Sequence, residues 1–444
     1  MLGLRKVSAA LPPRNSRVAG TFRALRYRNF QLFFFGQLVS LIGTWMQNIA
    51  QAWLVYRLTG SSVLLGAIAF ASQFPVFVIA PLGGAIADRH NRHHIVVATQ
   101  TAAMILATIL AYLTLTNRVQ IWHIFVLASG LGVVNAFDIP ARQAFIVEMV
   151  GRADQMNVIA LNSTMFNGAR IVGPAIAGIL VASIGEGWCF MANAVSYIAV
   201  IGGLLMMHVM SRPIAGTEAS PFQHIKEGFS WVKRARPIRA LLLLLGLVSL
   251  VGMPYAVLMP IFADRILHGG ARGLGLLMGA TGVGAMLAAL TLAAKKGLKG
   301  LGRWVATSSA GFGFSMILFS QSRWFWLSFV LLIPLGFSMM LQMASSNTLI
   351  QSMVPDRLRG RVMSVYSMMF MGMAPLGAFF AGVVAHKLGA PLTLTLGGLG
   401  CLVGSAMFGV YLPGLRTEAR QLIVAQQMAG GDPAQEMTAP SGLS

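Results

Sequence analysis

Acidic side chains are scarce in this chain: 12 Asp and Glu stand against 33 Lys and Arg among 444 residues, and charged residues of both signs make up only 10%. A soluble globule of that length needs far more polar surface to cover its core, so a soluble fold is excluded. Cysteine is nearly absent as well. Cys189 and Cys401 lie within apolar runs, where a thiol acts as a small buried hydrophobe, and no disulfide framework follows. No G-x-x-x-x-G-K-S/T occurs, which removes the phosphate-cradling loop of an ATP-driven machine. The histidines, His90, His93, His94 and His123 among them, show no metal-ligand spacing with Cys or acids, so neither metal nor cofactor is expected.

Long apolar runs are what the chain has instead: 56% of its residues are hydrophobic and its mean hydropathy is +0.72. At about 20 residues per crossing, twelve helical spans fit at 30–56, 63–87, 95–116, 121–144, 158–183, 188–208, 238–262, 273–294, 304–320, 325–349, 362–385 and 392–412. The expected fold is an all-α membrane protein. The net charge of +21 does not point to nucleic acid, because the cations are sorted by side. With the amino terminus cytoplasmic, Lys and Arg crowd the tail (Arg5, Lys6, Arg14, Arg17), the central loop (Arg212, Lys226, Lys233, Arg234) and the short inward loops. Arg57, Arg118, Arg265, Arg272, Arg323 and Lys387 face outward. This asymmetry places both termini inside. The acid-free segment 1–29 superficially resembles a transit peptide, but it continues the inward bias and reads as a basic cytoplasmic tail on anionic lipid. Residues 414–444 are polar, rich in Gly, Ala and Pro, and read as a disordered cytoplasmic tail.

The chain repeats itself. Met149, Val150, Val158, Ser163, Met165, Phe166 and Gly168 recur at a constant offset as Met353, Val354, Val362, Ser367, Met369, Phe370 and Gly372. Gly173, Ala177, Gly178 and Gly185 recur as Gly377, Ala381, Gly382 and Gly389. Leu38-Val-Ser-Leu41 returns as Leu247-Val-Ser-Leu250, with Gly43 matched by Gly252. Two six-helix halves in parallel register follow, 30–209 and 240–413, joined by a basic cytoplasmic loop at 210–239. Such a repeat places a binding site between the halves near the midplane.

Gly84, Asp88, Arg89, Arg92 and His93 occupy the places of G-x-x-x-D-R-x-G-R-R, the signature between the second and third helices of the major facilitator superfamily. With six plus six spans and a basic middle loop, the whole chain resembles that superfamily. Asn91 replaces the inner Gly, as a residue that tolerates a left-handed turn better than most. Residues 135–144 (NAFDIPARQA) and 161–178 (LNSTMFNGARIVGPAIAG) resemble the exporter branch that includes enterobactin and macrolide efflux proteins. The resemblance implies the major facilitator fold, alternating access and a small-molecule substrate. Ala169, Gly173, Pro174, Ala177 and Gly178 resemble the Gly-Pro signature of superfamily antiporters. There, small residues let helices approach and a proline frees the carbonyl one turn earlier; ordinary close packing predicts much the same residues.

Charge and polarity inside the spans mark the candidate site. On the first span Ser40, Thr44, Gln47, Asn48 and Gln51, together with Gln37, recur every three or four residues. They form either a cavity face, as expected of a pore-lining helix in the family it resembles, or an interhelical hydrogen-bonding stripe. Ser338 and Gln342 repeat this on the tenth span, with Ser345 and Ser346. The fourth span carries Asn135, Asp138 and Arg142 on one face. Asp138 is the one carboxylate well inside a span, where burial favours the neutral acid, so it is the proton-coupling candidate with Arg142. A structural Asp138–Arg142 pair is the competing reading. Arg170, about 20 Å from the inner edge at 1.5 Å per residue, serves substrate, Asp138 or packing. Asp88 is expected to latch the gate by capping the eleventh helix near Val362, with Arg89 and Arg92 meeting Glu148 or Asp154. The methionines of 339–373 suit either a permissive cavity or core filling.

The expectation is a monomeric exporter of the bacterial inner membrane, moving a bulky amphipathic solute, siderophore-like or drug-like, by proton antiport. An importer or lipid flippase on the same fold is the alternative. A membrane enzyme lacks converging acids, and a receptor lacks an extramembrane domain, the longest loop being 210–239.

Overall fold

A computed structural model describes residues 23–150, 155–207, 221–295 and 297–428. The first part of the basic tail, much of the central loop, Asp154 and residues 429–444 lie outside the described residues. Among those described there is helix and no strand. The first half comprises α1 (Arg28–Thr59), α2 (Ser62–Arg89), α3 (Arg92–Leu115), α4 (Ile121–Val150), α5 (Gln155–Ile184) and α6 (Glu186–Leu205). A short α7 (Pro221–Arg234) leads into α8 (Arg236–Ile266), α9 (Gly270–Ala294), α10 (Leu301–Gln321), α11 (Phe325–Met353), α12 (Asp356–Leu388) and α13 (Ala390–Met428).

Apart from α7 these are the twelve expected spans, and ten of them are long and apolar enough to cross a bilayer. The other two, α1 and α10, are diluted by polar residues that face neighbouring helices, as Gln37, Ser40 and Ser309 do from buried positions. The links 59–62, 184–186 and 388–390 are tight. They turn on Gly60, Gly185 and Gly389, all with positive φ (60°, 90° and 83°), a backbone state that glycine enters without steric penalty. Gly185 and Gly389 are repeat-related, so both halves make the same turn after the same helix. These links define the far end of the bundle. The start of α1 and the end of α13 lie at the opposite, near end.

Each half packs alike. α1 lies on α6 through Gly36 and Gly43, where a Cβ would stand 2.9 Å from the Ala199 carbonyl and 2.5 Å from Asn193 Oδ1. Its repeat partner Gly252 admits Phe312 of α10 and Cys401 of α13. Pro254 interrupts α8, which has π-helical stretches at Val248–Gly252 and Phe262–Ile266, and α12 has one at Met368–Gly372. Such widened turns free backbone groups within a helix and recur at functional sites. Large apolar side chains such as Val195, Ile198, Val330 and Val410 are exposed on the outside, as lipid contact requires. Trp122, Trp188, Trp324 and Trp326 are exposed near the far-end links, the arrangement of an interfacial aromatic belt.

Two expected boundaries need correction. The central loop is not loop throughout: α7 is an amphipathic helix whose Trp231 and Val232 pack on the core, and α8 begins at Arg236. The carboxy-terminal tail does not start at 414. α13 continues through Met428 because Leu415, Ala419, Leu422 and Ile423 form a helical stripe that packs back on the second half.

Candidate functional site

Two seams join the halves. Along the first, α2 meets α12: Ser62 Oγ donates to the Gly382 carbonyl (2.8 Å), a Cβ on Gly66 would stand 3.2 Å from Gly382 Cα, and the Phe70 and Phe379 rings lie 6.0 Å apart. Along the second, α5 meets α9, where a Cβ on Gly178 would stand 2.9 Å from Gly275 Cα and one on Gly275 would strike the Pro174 carbonyl. Of the small-residue motif, Pro174 and Gly178 lie at this cross-half contact, while Gly173 packs on α1 within the first half. Ala169 and Ala177 are fully buried, and Gly173 admits Trp45 of α1.

At the far end the seams are latched. Tyr56 Oη of α1 donates to Asp264 Oδ2 of α8 (2.7 Å), while the Arg265 guanidinium lies over the Tyr56 ring (5.6 Å) and reaches the Gly60 carbonyl (3.4 Å). Beside it Arg57 pairs bidentately with Glu186 of α6 (2.7 and 3.2 Å), closing the first half. Sequence reading missed Tyr56, Asp264 and Glu186 as site residues. The available signal was that acids are rare and these two sit at span ends opposite outward-facing arginines.

The polar stripe of α1 is divided. Gln37, Ser40 and Gln47 are buried, and Gln47 accepts a hydrogen bond from Asn193 Nδ2 of α6 (2.7 Å). Thr44 donates to the Ser40 carbonyl (2.9 Å). Gln47 thus ties α1 to α6, whereas the Thr44 bond lies within α1 and Gln37 Oε1, though buried, has no hydrogen-bond partner among the described residues. Asn48 is exposed and Gln51 half-buried. Beside Asn48, Trp45 packs edge-on to Phe166 (5.7 Å) and lies under Arg170, whose guanidinium is 5.9 Å from its ring centroid. Arg170 is half-buried there and has an aromatic partner rather than Asp138.

Asp138 is 2% exposed and fully engaged. Thr99 Oγ1 and Gln100 Nε2 of α3 donate to Oδ1 (both 2.8 Å), and Arg142 Nε lies 3.2 Å from Oδ2. Asn135 stands half-buried one turn away. The Asp138–Arg142 pair is present, and the contacts from α3 add to it, with the Thr99 hydroxyl placed between Asp138 and the Val96 carbonyl (2.9 Å).

On α11, Ser338 is buried and Gln342, Ser345 and Ser346 are wholly inaccessible. Among the described residues, both amide atoms of Gln342 lack hydrogen-bond partners, as do the hydroxyls of Ser345, Ser346 and Ser309. A buried unpaired polar group costs about 1–3 kcal/mol, so a row of them on one face is uncommon. Among the methionines, Met339 and Met353 are buried in the core, and Met343, Met363 and Met369 pack on it, which is the core-filling role.

At the near end Asp88 does not reach α12. It is 59% exposed and lies 3.3 Å from Arg92, which is 14% exposed, pairs with Glu148 of α4 and donates to the Ala87 carbonyl (3.1 Å). Arg89 is exposed. α12 begins at Asp356, earlier than the expected Val362, and so carries its own acid in its first turn, which already complements the helix dipole. Gly84 has open space around it, and Gly83 is the glycine that admits α4. Asn91 is not left-handed: at φ −64° it caps α3 by accepting from His93 N–H (3.0 Å).

Twelve helices in two repeat-related halves, meeting along α2–α12 and α5–α9, define a transporter of the major facilitator superfamily. The profile of the transmembrane secretion effector family matches residues 19–443, and the chain belongs to that family. It is similar to the staphyloferrin A transporter of Staphylococcus aureus, at 24% identity over 85% of this chain and 94% of that protein. It is also similar to the multidrug efflux pump Tap of Mycolicibacterium fortuitum (27%, covering 87% and 96%) and the enterobactin exporter EntS of Escherichia coli (22%, covering 87% and 92%). Among solved structures the nucleoside transporter NupG shares its fold with a TM-score of 0.69 at 14% identity, covering 87% of this chain and 99% of that one. The chain is a multi-pass membrane transporter of small molecules and not an enzyme.

Proposed function

We propose that this transporter exports a bulky amphipathic solute, siderophore-like or drug-like, across the bacterial cytoplasmic membrane by alternating access, with both termini cytoplasmic. The observation that carries the reading is the uneven closure of the interface. Cross-half approaches run from Ser62 to Phe77 on α2 and from Arg170 to Gly178 on α5, toward the far end, where Tyr56 and Asp264 add the latch. At the near end Asp88, Arg92 and Glu148 pair, among the described residues, only within the first half. That is the state expected of an exporter ready to load from the near side. The aromatic and cationic group Trp45, Phe166 and Arg170, with exposed Asn48, suits an amphipathic ligand bearing acid or aromatic groups. The named relatives of similar sequence carry siderophores and drugs.

The sealed polar face of α11 also supports alternation. Gln342, Ser345 and Ser346 have no hydrogen-bond partners among the described residues and gain water or ligand when the second half rearranges, which makes the present state easier to leave. For the energy source we propose proton antiport through Asp138: protonation removes the charge that holds Arg142 and weakens the hydrogen bonds that Thr99 and Gln100 of α3 donate to it. Site-directed labelling tests the alternation. Tyr56→Phe is expected to raise modification of a cysteine placed at Asn48 from the far side; unchanged labelling from both sides would sink the latch.

A further inference from the structure

A cavity of about 640 Å³ lies at the near end of the second half, away from both seams, between α8, α10, α11 and α13. Its floor is apolar and buried, with Leu241, Leu349, Met353, Phe408 and Ile423 all below 8% exposed. Its rim is cationic. Lys299, from the α9–α10 link, and Arg416 and Arg420, one turn apart on the extension of α13, line it without any acid. None of the three has a hydrogen bond or ion pair among the described residues. The acids and cations nearby are otherwise engaged: Glu418 is turned to Arg236 (3.6 Å) and Lys295 lies over Trp304 (4.6 Å). Gly300, at φ +83°, and Gly302, where a Cβ would stand 3.1 Å from Leu412 Cδ1, let the link pass close under α13.

We propose that this cavity binds one anionic phospholipid, with an acyl chain on the apolar floor and the headgroup phosphate held by Lys299, Arg416 and Arg420. Depth supports a lipid rather than a soluble anion. Val403, Met407 and Val410 are exposed on α13 in the manner of bilayer contact, and Arg416 lies about 9 Å further along at 1.5 Å per residue, the level of a headgroup. Basic pockets at helix ends bordering a bilayer recognise anionic headgroups by charge, while each buried methylene adds to retention. The volume falls in the range of ligand pockets. A lipid there would tie the extension of α13 to α8, α10 and α11.

The full chain is purified in mild detergent and titrated with phosphatidylglycerol or phosphatidylcholine, and retained lipid is counted by native mass spectrometry. The expected result is one phosphatidylglycerol held in preference to phosphatidylcholine. R416Q/R420Q, which alters only exposed side chains, should weaken it about thirtyfold for two lost headgroup contacts. Thr417→Trp, which fills the cavity and leaves its charges, should weaken it as well. Equal retention of both lipids, or undiminished phosphatidylglycerol on both variants, overturns the proposal. Binding that appears only after removal of 429–444 also overturns it, assigning the cavity to the chain's own tail.

Discussion

Asp138 joins α3 to α4 through Oδ1, which accepts from Thr99 and Gln100, while Oδ2 pairs with Arg142 one turn along α4 itself. Asp138→Asn keeps the shape, disrupts the Arg142 pair and cannot exchange a proton. The expected outcome is loss of gradient-driven transport with ligand binding retained, measured in the same vesicles. Thr99→Val tests the structural share: it removes one hydrogen bond to a charged acceptor and should lower thermal stability by about 1.5–3 kcal/mol. At Gln342 the sign reverses. Gln342→Leu removes an unpaired buried amide and should stabilise the resting protein by about 1–3 kcal/mol, while slowing transport. Asp138, Arg142, Arg170 and Gln342 were legible in the sequence because charge or polarity inside an apolar span needs a reason. Thr99, Gln100 and the Tyr56–Asp264 pair were not, because each becomes informative only when a distant helix is brought beside it.

At the scale of the helix, the seams are made by small residues that the sequence exposed as a repeat. Gly173 and Gly178 of α5 correspond to Gly377 and Gly382 of α12, and Gly178 and Gly382 lie at the two cross-half contacts. Gly275→Leu would force a side chain into the Pro174 carbonyl and should cost more than the usual 1–3 kcal/mol of overpacking. It should also part the α5–α9 seam, seen as increased far-side labelling at Asn48→Cys. The ends of helices were less legible. The apolar periodicity of 415–423 is weaker than that of a span and is masked by Arg416, Glu418 and Arg420, so the extension of α13 looked like tail. α7 was hidden in the same way by Lys226, Lys233 and Arg234 within a basic stretch. The turn at Asn91 differed because a side-chain cap on α3 does the work expected of a left-handed residue.

Over the whole molecule, twelve helices and two parallel halves follow from hydropathy and internal repetition, both long-range signals that survive local error. Which end of the interface is closed is a balance of contacts between halves and leaves no sequence pattern. The near-end motif illustrates this, since Asp88, with its pair to Arg92 largely exposed, contributes no more than about 1 kcal/mol here.

The central claim, a proton-driven exporter, is tested most directly with purified protein in vesicles of known orientation under an imposed proton gradient. Movement of a catechol siderophore, a macrolide and a lipophilic dye is compared between native protein and Asp138→Asn. The account predicts gradient-dependent movement of at least one solute from the cytoplasmic face to the opposite face, abolished in the variant. Movement in the reverse direction, or transport that persists in Asp138→Asn, would contradict it.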